Sequence, residues 1–309
     1  MWSIKLIPAD TKINFYKFRI LAFAISLLMV VLSASFFTLK GLNYGIDFKG
    51  GIMIDVLFDS KPDLPEIRSK LDNLNIGEIE IQEFGKPENL LIKAQKQEGD
   101  EKEQIKAIKK IKNALGTDLD YRRTEFVGPK VGKELVEAGV WAISLSLLAM
   151  LVYIWIRFEW QFGIGAVIAL LHDVLTTVGI FSILHLEFNL AIVAAILTIA
   201  GYSINDTVVV YDRIRENLRK FRKEDVPSVI NKSINQTLSR TTMTSLTTLL
   251  ALIVLFYFGG EVIHGFVFAM MWGVFIGTYS SIFVASPLLS IFRLGNDEIR
   301  NSHKETGAD

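Results

Sequence analysis

At 309 residues, half of them hydrophobic and with a mean hydropathy of +0.36, the chain has apolar material for several helices in lipid as well as one ordinary soluble domain. Its 33 basic and 33 acidic residues cancel and are segregated along the sequence, so no nucleic-acid partner is expected. The absence of cysteine excludes disulfides, thiol nucleophiles and thiolate metal sites, and the four histidines, at 172, 185, 264 and 303, show no metal-ligand spacing.

The first apolar run, Ile20 to Leu39, follows Lys5, Lys12, Lys17 and Arg19 and is long enough to cross a hydrocarbon core of roughly 30 Å. Small residues at Ser33-Ala34-Ser35 are compatible with a cleaved leader. The run exceeds the usual apolar core of a signal peptide, about 7–15 residues, so a retained span is expected. Residues 40–133 are different material, with 17 Lys/Arg and 17 Asp/Glu. Alternation over Ile52–Phe58, Glu78–Phe84, Asn89–Ala94 and Tyr121–Val127 predicts strands, and the spacing in Leu64–Leu74 and Glu103–Leu115 predicts helices. The order β-α-β-β-α-β is the split βαβ, or ferredoxin-like, α+β pattern.

Five further apolar stretches follow: Leu135–Ile156, Phe162–Leu184, Phe188–Tyr211, Leu238–Phe258 and Gly265–Phe292. Six transmembrane helices in 1–39 and 134–292, with a tail at 293–309, are therefore expected of an α-helical integral membrane protein. The 212–237 connection holds Arg213, Arg215, Arg219, Lys220, Arg222, Lys223 and Lys232, whereas the connections at 184–188 and 259–264 hold no Lys or Arg. By the positive-inside rule the amino terminus, this loop and the tail (Arg293, Arg300, Lys304) are cytoplasmic, and the 40–133 domain is external, periplasmic in a bacterium.

Several segments then resemble one family. They are Leu42-Asn43-Tyr44-Gly45-Ile46-Asp47-Phe48-Lys49-Gly50-Gly51, Phe126-Val127-Gly128-Pro129-Lys130-Val131-Gly132, His172-Asp173, and the run Gly201 to Asn217 with Asn205-Asp206 inside it. Together they resemble the SecD/SecF family of the resistance-nodulation-division superfamily along the whole chain. The resemblance implies a multi-pass subunit of the bacterial inner membrane that is not an enzyme. It would act beside the SecYEG channel with SecD as heterodimer partner and the small subunit YajC. After the motor SecA has acted, it would use the proton-motive force to promote late export of unfolded preprotein. The implied coupling ion is the proton, with no other cofactor. A SecD chain would carry a much larger external region than this one.

An ionisable residue inside an apolar span is a functional candidate by default, and Asp206 is one, suited to binding and releasing protons. Tyr202, Ser203 and Asp206 fall on one helical face; a simple cap near the helix end is the competing reading. Arg240 opens the fifth span, ahead of Thr241, Thr242, Thr244, Ser245, Thr247 and Thr248, at a depth similar to that of Asp206. The two are a candidate pair, and the resemblance implies that they are proton-pathway residues. For Arg240 the alternative is snorkelling to the interface, and for the Thr/Ser run it is helix packing. His172 and Asp173, with Asn205 and Thr244, are candidates for the same relay; a structural hydrogen-bonding pair is the alternative for the first two. Gly273 and Gly277 form a GxxxG pattern for close helix approach, the Asp47–Gly50–Gly51 element is expected to form a tight turn docking the external domain, and Asp212 and Arg213 read as interface residues. The sequence also leaves open a stand-alone small-molecule exporter of the same superfamily and a scaffold without energy coupling. An intramembrane protease is disfavoured, because there is neither an HExxH pattern nor a Gly-Ser nucleophile setting.

Overall fold

The computed structural model describes residues 11–95, 97 and 101–291; Lys5, His303 and the tail residues Arg293, Arg300 and Lys304 lie outside them. Among the described residues six helical segments are long and apolar enough to cross a membrane: Phe15–Lys40, Val131–Arg157, Trp160–Ile183, Leu190–Lys220, Val226–Phe258 and Glu261–Ile291. Their principal helices are α1 (Arg19–Lys40), α5 (Pro129–Arg157), α6 (Trp160–Ile183), α7 (Leu190–Lys220), α8 (Val226–Phe258) and α9 (His264–Ser280). The spans through α6, α7 and α9 are more than half buried and form the centre, while α1, α5 and α8 turn most of their apolar surface outward. Such surface is stable against hydrocarbon or another apolar chain, not against water.

Between α1 and α5 the chain builds a short strand β1 (Asn43–Tyr44), a helical turn α2 (Ile46–Lys49), and then β2 (Gly51–Leu57), α3 (Leu64–Asp72), β3 (Ile79–Phe84), β4 (Lys86–Ala94), α4 (Glu101–Leu115) and β5 (Asp120–Val127). The long strands pair antiparallel in the order β3-β4-β2-β5, with a bulge at Asp55/Val56. One sheet face packs Ile52, Ile54, Val56, Leu90 and Ile92 against Ile67, Leu71, Ala107 and Ile111 of the two helices. The opposite face gathers Met53 and Leu91 with Ile46 and looks onto a cavity of about 350 Å³ above the helix ends, where Phe256, Phe266 and Phe268 lie.

Two regions differ from the sequence expectation. The 212–237 connection is almost wholly helical, because α7 runs on to Lys220 and α8 already starts at Val226. Lys and Arg are good helix formers, and the Asp225 side chain caps α8 by accepting from Ser228 N (3.2 Å), with Pro227 in the first turn. The sixth span is not one regular helix. It passes through a π-helical segment, Ser281–Ala285, into α10 (Ser286–Ile291). Pro287 has no amide hydrogen to give to residue 283, and the wider turn before it accommodates that loss. The Ser286 hydroxyl fills part of the gap by donating to Ser281 O (2.7 Å).

Candidate functional site

The α7–α9 contact repeats every four residues on each helix. Ile199 fills the space beside Gly273, Ser203 lies on Gly277, the Thr207 and Ser281 hydroxyls share a hydrogen bond (2.8 Å), and the Tyr211 hydroxyl donates to Ala285 O (3.1 Å). A Cβ at Gly273 would overlap the Ile199 side chain, and one at Gly277 would sit 3.1 Å from Ser203 Cβ. The GxxxG pattern thus lies where two helices touch almost backbone to backbone.

Asp173 of α6 points into this seam and is fully buried. Its Oδ2 accepts from the Ser203 hydroxyl of α7 (2.5 Å) and the Ser280 hydroxyl of α9 (2.8 Å), while its Oδ1 lies 2.9 Å from His172 Nδ1. One carboxyl therefore ties three helices, and its acceptors are matched by three donors when the imidazole carries its proton on Nδ1. His172 Nε2 is buried without a partner.

Asp206 lies one turn beyond Ser203, equally inside the bundle, but faces α8. The Arg240 charge and the Ser245 hydroxyl are the groups that act on it, and no ion pair within 4.0 Å joins Asp206 and Arg240. Its Oδ2 is buried and unpartnered, as is the neighbouring Thr241 Oγ1 on α8. Asp206 is no helix cap, since α7 continues to Lys220. Arg240 is exposed at the bundle edge.

Two sequence candidates fall elsewhere. Asn205 is exposed on another side of α7, and Thr244 is exposed with its hydroxyl bonded to its own helix at Arg240 O and Thr241 O. Ser245, one residue on, is the side chain that turns inward, toward Asp206 and within 2.7 Å of Thr278 Oγ1 on α9. Ser280 and Ser281 gave no signal beyond two small polar residues in an apolar helix. Asp212 and Arg213 are surface residues, paired with Arg157 (3.1 Å) and Glu216 (2.8 Å).

The junction between the sheet domain and the spans is built from the Asp47 element. Strand β1 pairs in parallel with β6 (Glu187–Phe188), the link between α6 and α7. The Asp47 Oδ2 accepts from Leu190 N (2.8 Å) at the start of α7, beside the Asn189 cap. Gly50 and Gly51 take φ of 72° and 135°, values that side chains oppose, and so turn the chain sharply into β2. Lys93 of β4 ion-pairs with Glu187, and the β3–β4 turn at Gly85 rests on Glu261 after α8. Asp47 thus connects the sheet domain to the helix that carries Asp206.

Comparison with known proteins gives two family matches. The model of the SecD/SecF protein-export membrane protein C-terminal region matches residues 107–294, and that of the SecD/SecF GG motif matches residues 35–62. Protein translocase subunit SecF of Rickettsia rickettsii (strain Sheila Smith) is 45% identical over 296 residues, covering 94% of this chain and 96% of that one. SecF of Rickettsia akari (strain Hartford) is 46% identical with the same coverage. The crystal structure of SecDF from Thermus thermophilus, a translocon-associated membrane protein, superposes with a TM-score of 0.82 at 37% identity over 95% of this chain. This chain spans 40% of that one. A SecDF structure in a super-membrane-facing form matches at TM-score 0.68 and 35% identity, over all of this chain and 41% of that one. The chain is a multi-pass membrane protein that belongs to the SecD/SecF family, with protein translocase SecF subunits as its relatives.

Proposed function

We propose that this chain is the SecF-type half of a proton-driven export machine and that Asp206 is its proton-exchanging group. The observation that carries the reading is a buried carboxyl in the middle of a span, with one oxygen lacking any partner and an arginine acting on it from the next helix. Proton arrival at Asp206 removes the charge that attracts Arg240, and proton loss restores it, so α7 and α8 have two arrangements that an ion can bias. Each proton moving through 100 mV supplies about 2.3 kcal/mol, enough to move an equilibrium roughly fifty-fold toward one arrangement.

In this reading both termini and the α7–α8 connection are cytoplasmic, and the ferredoxin-like domain of residues 40–133 stands on the outer side of the inner membrane. SecD, as heterodimer partner, supplies the second half of the assembly, which works beside YajC and the SecYEG channel after SecA. Movement of α7 reaches the outer domain through the hydrogen bond from Leu190 N to Asp47, and the domain swings to hold and release emerging unfolded preprotein.

The test is Asp206→Asn in membrane vesicles containing SecD and the channel. Potential-stimulated export is expected to fall to the level seen without a gradient, with assembly unchanged; a scaffold would export as before.

A further inference from the structure

Ser245 of α8 stands between Asp206 and α9. It is buried, and its hydroxyl is a hydrogen-bonding group that acts on the Asp206 carboxyl. The same oxygen lies 2.7 Å from Thr278 Oγ1 on α9 and 2.9 Å from Thr241 O on its own helix. Thr278 Oγ1 in turn lies 2.8 Å from Val274 O. The two hydroxyl hydrogens therefore have more acceptors within reach than they can bond. Both carbonyls lie inside regular helices, where they already accept a backbone N–H, so neither depends on a hydroxyl.

A hydroxyl donates once, accepts as well, and turns about its C–O bond. The series Asp206, Ser245, Thr278 can thus be satisfied in two directions. An ionised Asp206 can only accept: Ser245 donates to the carboxylate, and Thr278 donates to Ser245. A protonated Asp206 carries a donor of its own, which Ser245 accepts. The Ser245 O–H then turns to Thr278, and the Thr278 O–H turns to Val274 O. Each state leaves every hydroxyl bonded, and no proton leaves Asp206 along the series. Thr278 follows Gly277, which lies on Ser203, and Ser280 in the same stretch of α9 donates to Asp173. Arg240, the charged side chain acting on Asp206, belongs to α8 as Ser245 does. The hydroxyl pair is what crosses to α9.

We propose, resting on Asp206 as the proton-exchanging group, that Ser245 and Thr278 are positioning residues for the switch. They turn the protonation of Asp206 into a reversed bond between α8 and α9, beside the contact where α6, α7 and α9 meet at Asp173.

The full chain in membrane vesicles with SecD and the channel tests this through the increment in export that a proton gradient adds. S245A and T278V each remove one hydroxyl with little change of volume. They should lower the increment to about a fifth, the effect expected of one net hydrogen bond. S245T and T278S change size, keep the hydroxyl and should retain the increment. A packing role predicts the reverse order, since T278V is nearly isosteric and S245T adds a methyl group to a buried site. In S245A/T278V the increment should fall no further than in either single variant, because both interrupt one series. Difference infrared spectra between acid and neutral pH give a readout apart from export. The carboxyl band that Asp206→Asn removes should move in S245A, where the protonated acid loses its acceptor. Full increments in S245A and T278V beside a lost one in Asp206→Asn, losses that multiply in the double variant, or an unmoved band overturn the series and leave the proton reading standing. A full increment in Asp206→Asn overturns both.

Discussion

Asp173 of α6, bonded to Ser203, and Asp206, one turn beyond Ser203 on α7, are both buried carboxyls inside the bundle, and their surroundings are opposite. Asp173 meets two serine hydroxyls and an imidazole from three helices, and each donor is placed for it. Asp206 meets an arginine that does not close on it and keeps one oxygen unanswered. A charge in lipid is tolerated when it is fully paired, and a carboxyl left part-paired is one whose state changes cheaply. α6, α7 and α9 are clamped together at Asp173, whereas the α7–α8 contact at Asp206 is left part-paired, the feature on which the proposed proton switch rests.

The largest effect expected is on the clamp. Asp173→Ala strands Ser203, Ser280 and His172 together and should cost about 3–5 kcal/mol, read as a lower unfolding temperature in detergent and loss of assembled protein. Gly273→Leu should follow, since its side chain would enter the volume of Ile199; overpacking of this kind costs about 1–3 kcal/mol. Asp206→Asn keeps shape and volume and should change stability by less than about 1 kcal/mol while removing coupling. If Asp173→Asn were harmless and Asp206→Asn unfolded the protein, the two roles would have to be exchanged.

Smaller effects lie in the sheet domain. Lys93→Ala removes a partly buried ion pair to Glu187, worth at most about 1 kcal/mol, and should loosen the domain's seat on the spans, seen as faster amide exchange at β1 and β6. Asp55 in β2 is held above the usual carboxylate range, chiefly by burial, against the opposing Asn89 side chain and Arg122 and Arg123. A raised acid binds its proton more tightly in the folded domain, so its stabilising share is complete below the unfolded value near about 3.9 and is lost as pH rises through the folded value. Asp55→Asn should therefore stabilise the domain at neutral pH and flatten that part of its pH dependence, measured by thermal unfolding across pH.

Much of this architecture is legible in the sequence because it rests on long or strict periodicities. Six apolar runs stand out by length, the alternation in Ile52–Phe58 and Asn89–Ala94 gives the central strands, and the paired glycines at 50–51 and 273–277 mark a turn and a helix contact. Asp206 and Arg240 stand out because charge in a span is expensive. What is not legible depends on rotation about a helix axis by one residue. Thr244 and Ser245 look alike in a polar run, yet one faces out and the other faces Asp206. The Ser280 bond to Asp173 needs the phase of α9, which the π-helical segment after it resets for the residues that follow. The 212–237 region looks like a loop because it lacks apolar length, although its basic residues extend both helices.

The chain has no native cysteine, so spin labels placed at Lys86, next to Gly85, and at Val262, next to Glu261, report one distance: the seat of the sheet domain on the α8–α9 end. Measured by pulsed electron resonance in vesicles with SecD present, the account predicts two distances whose populations shift when a proton gradient is applied, and a single unmoving distance in Asp206→Asn. The same shift in Asp206→Asn as in the unsubstituted chain would contradict it.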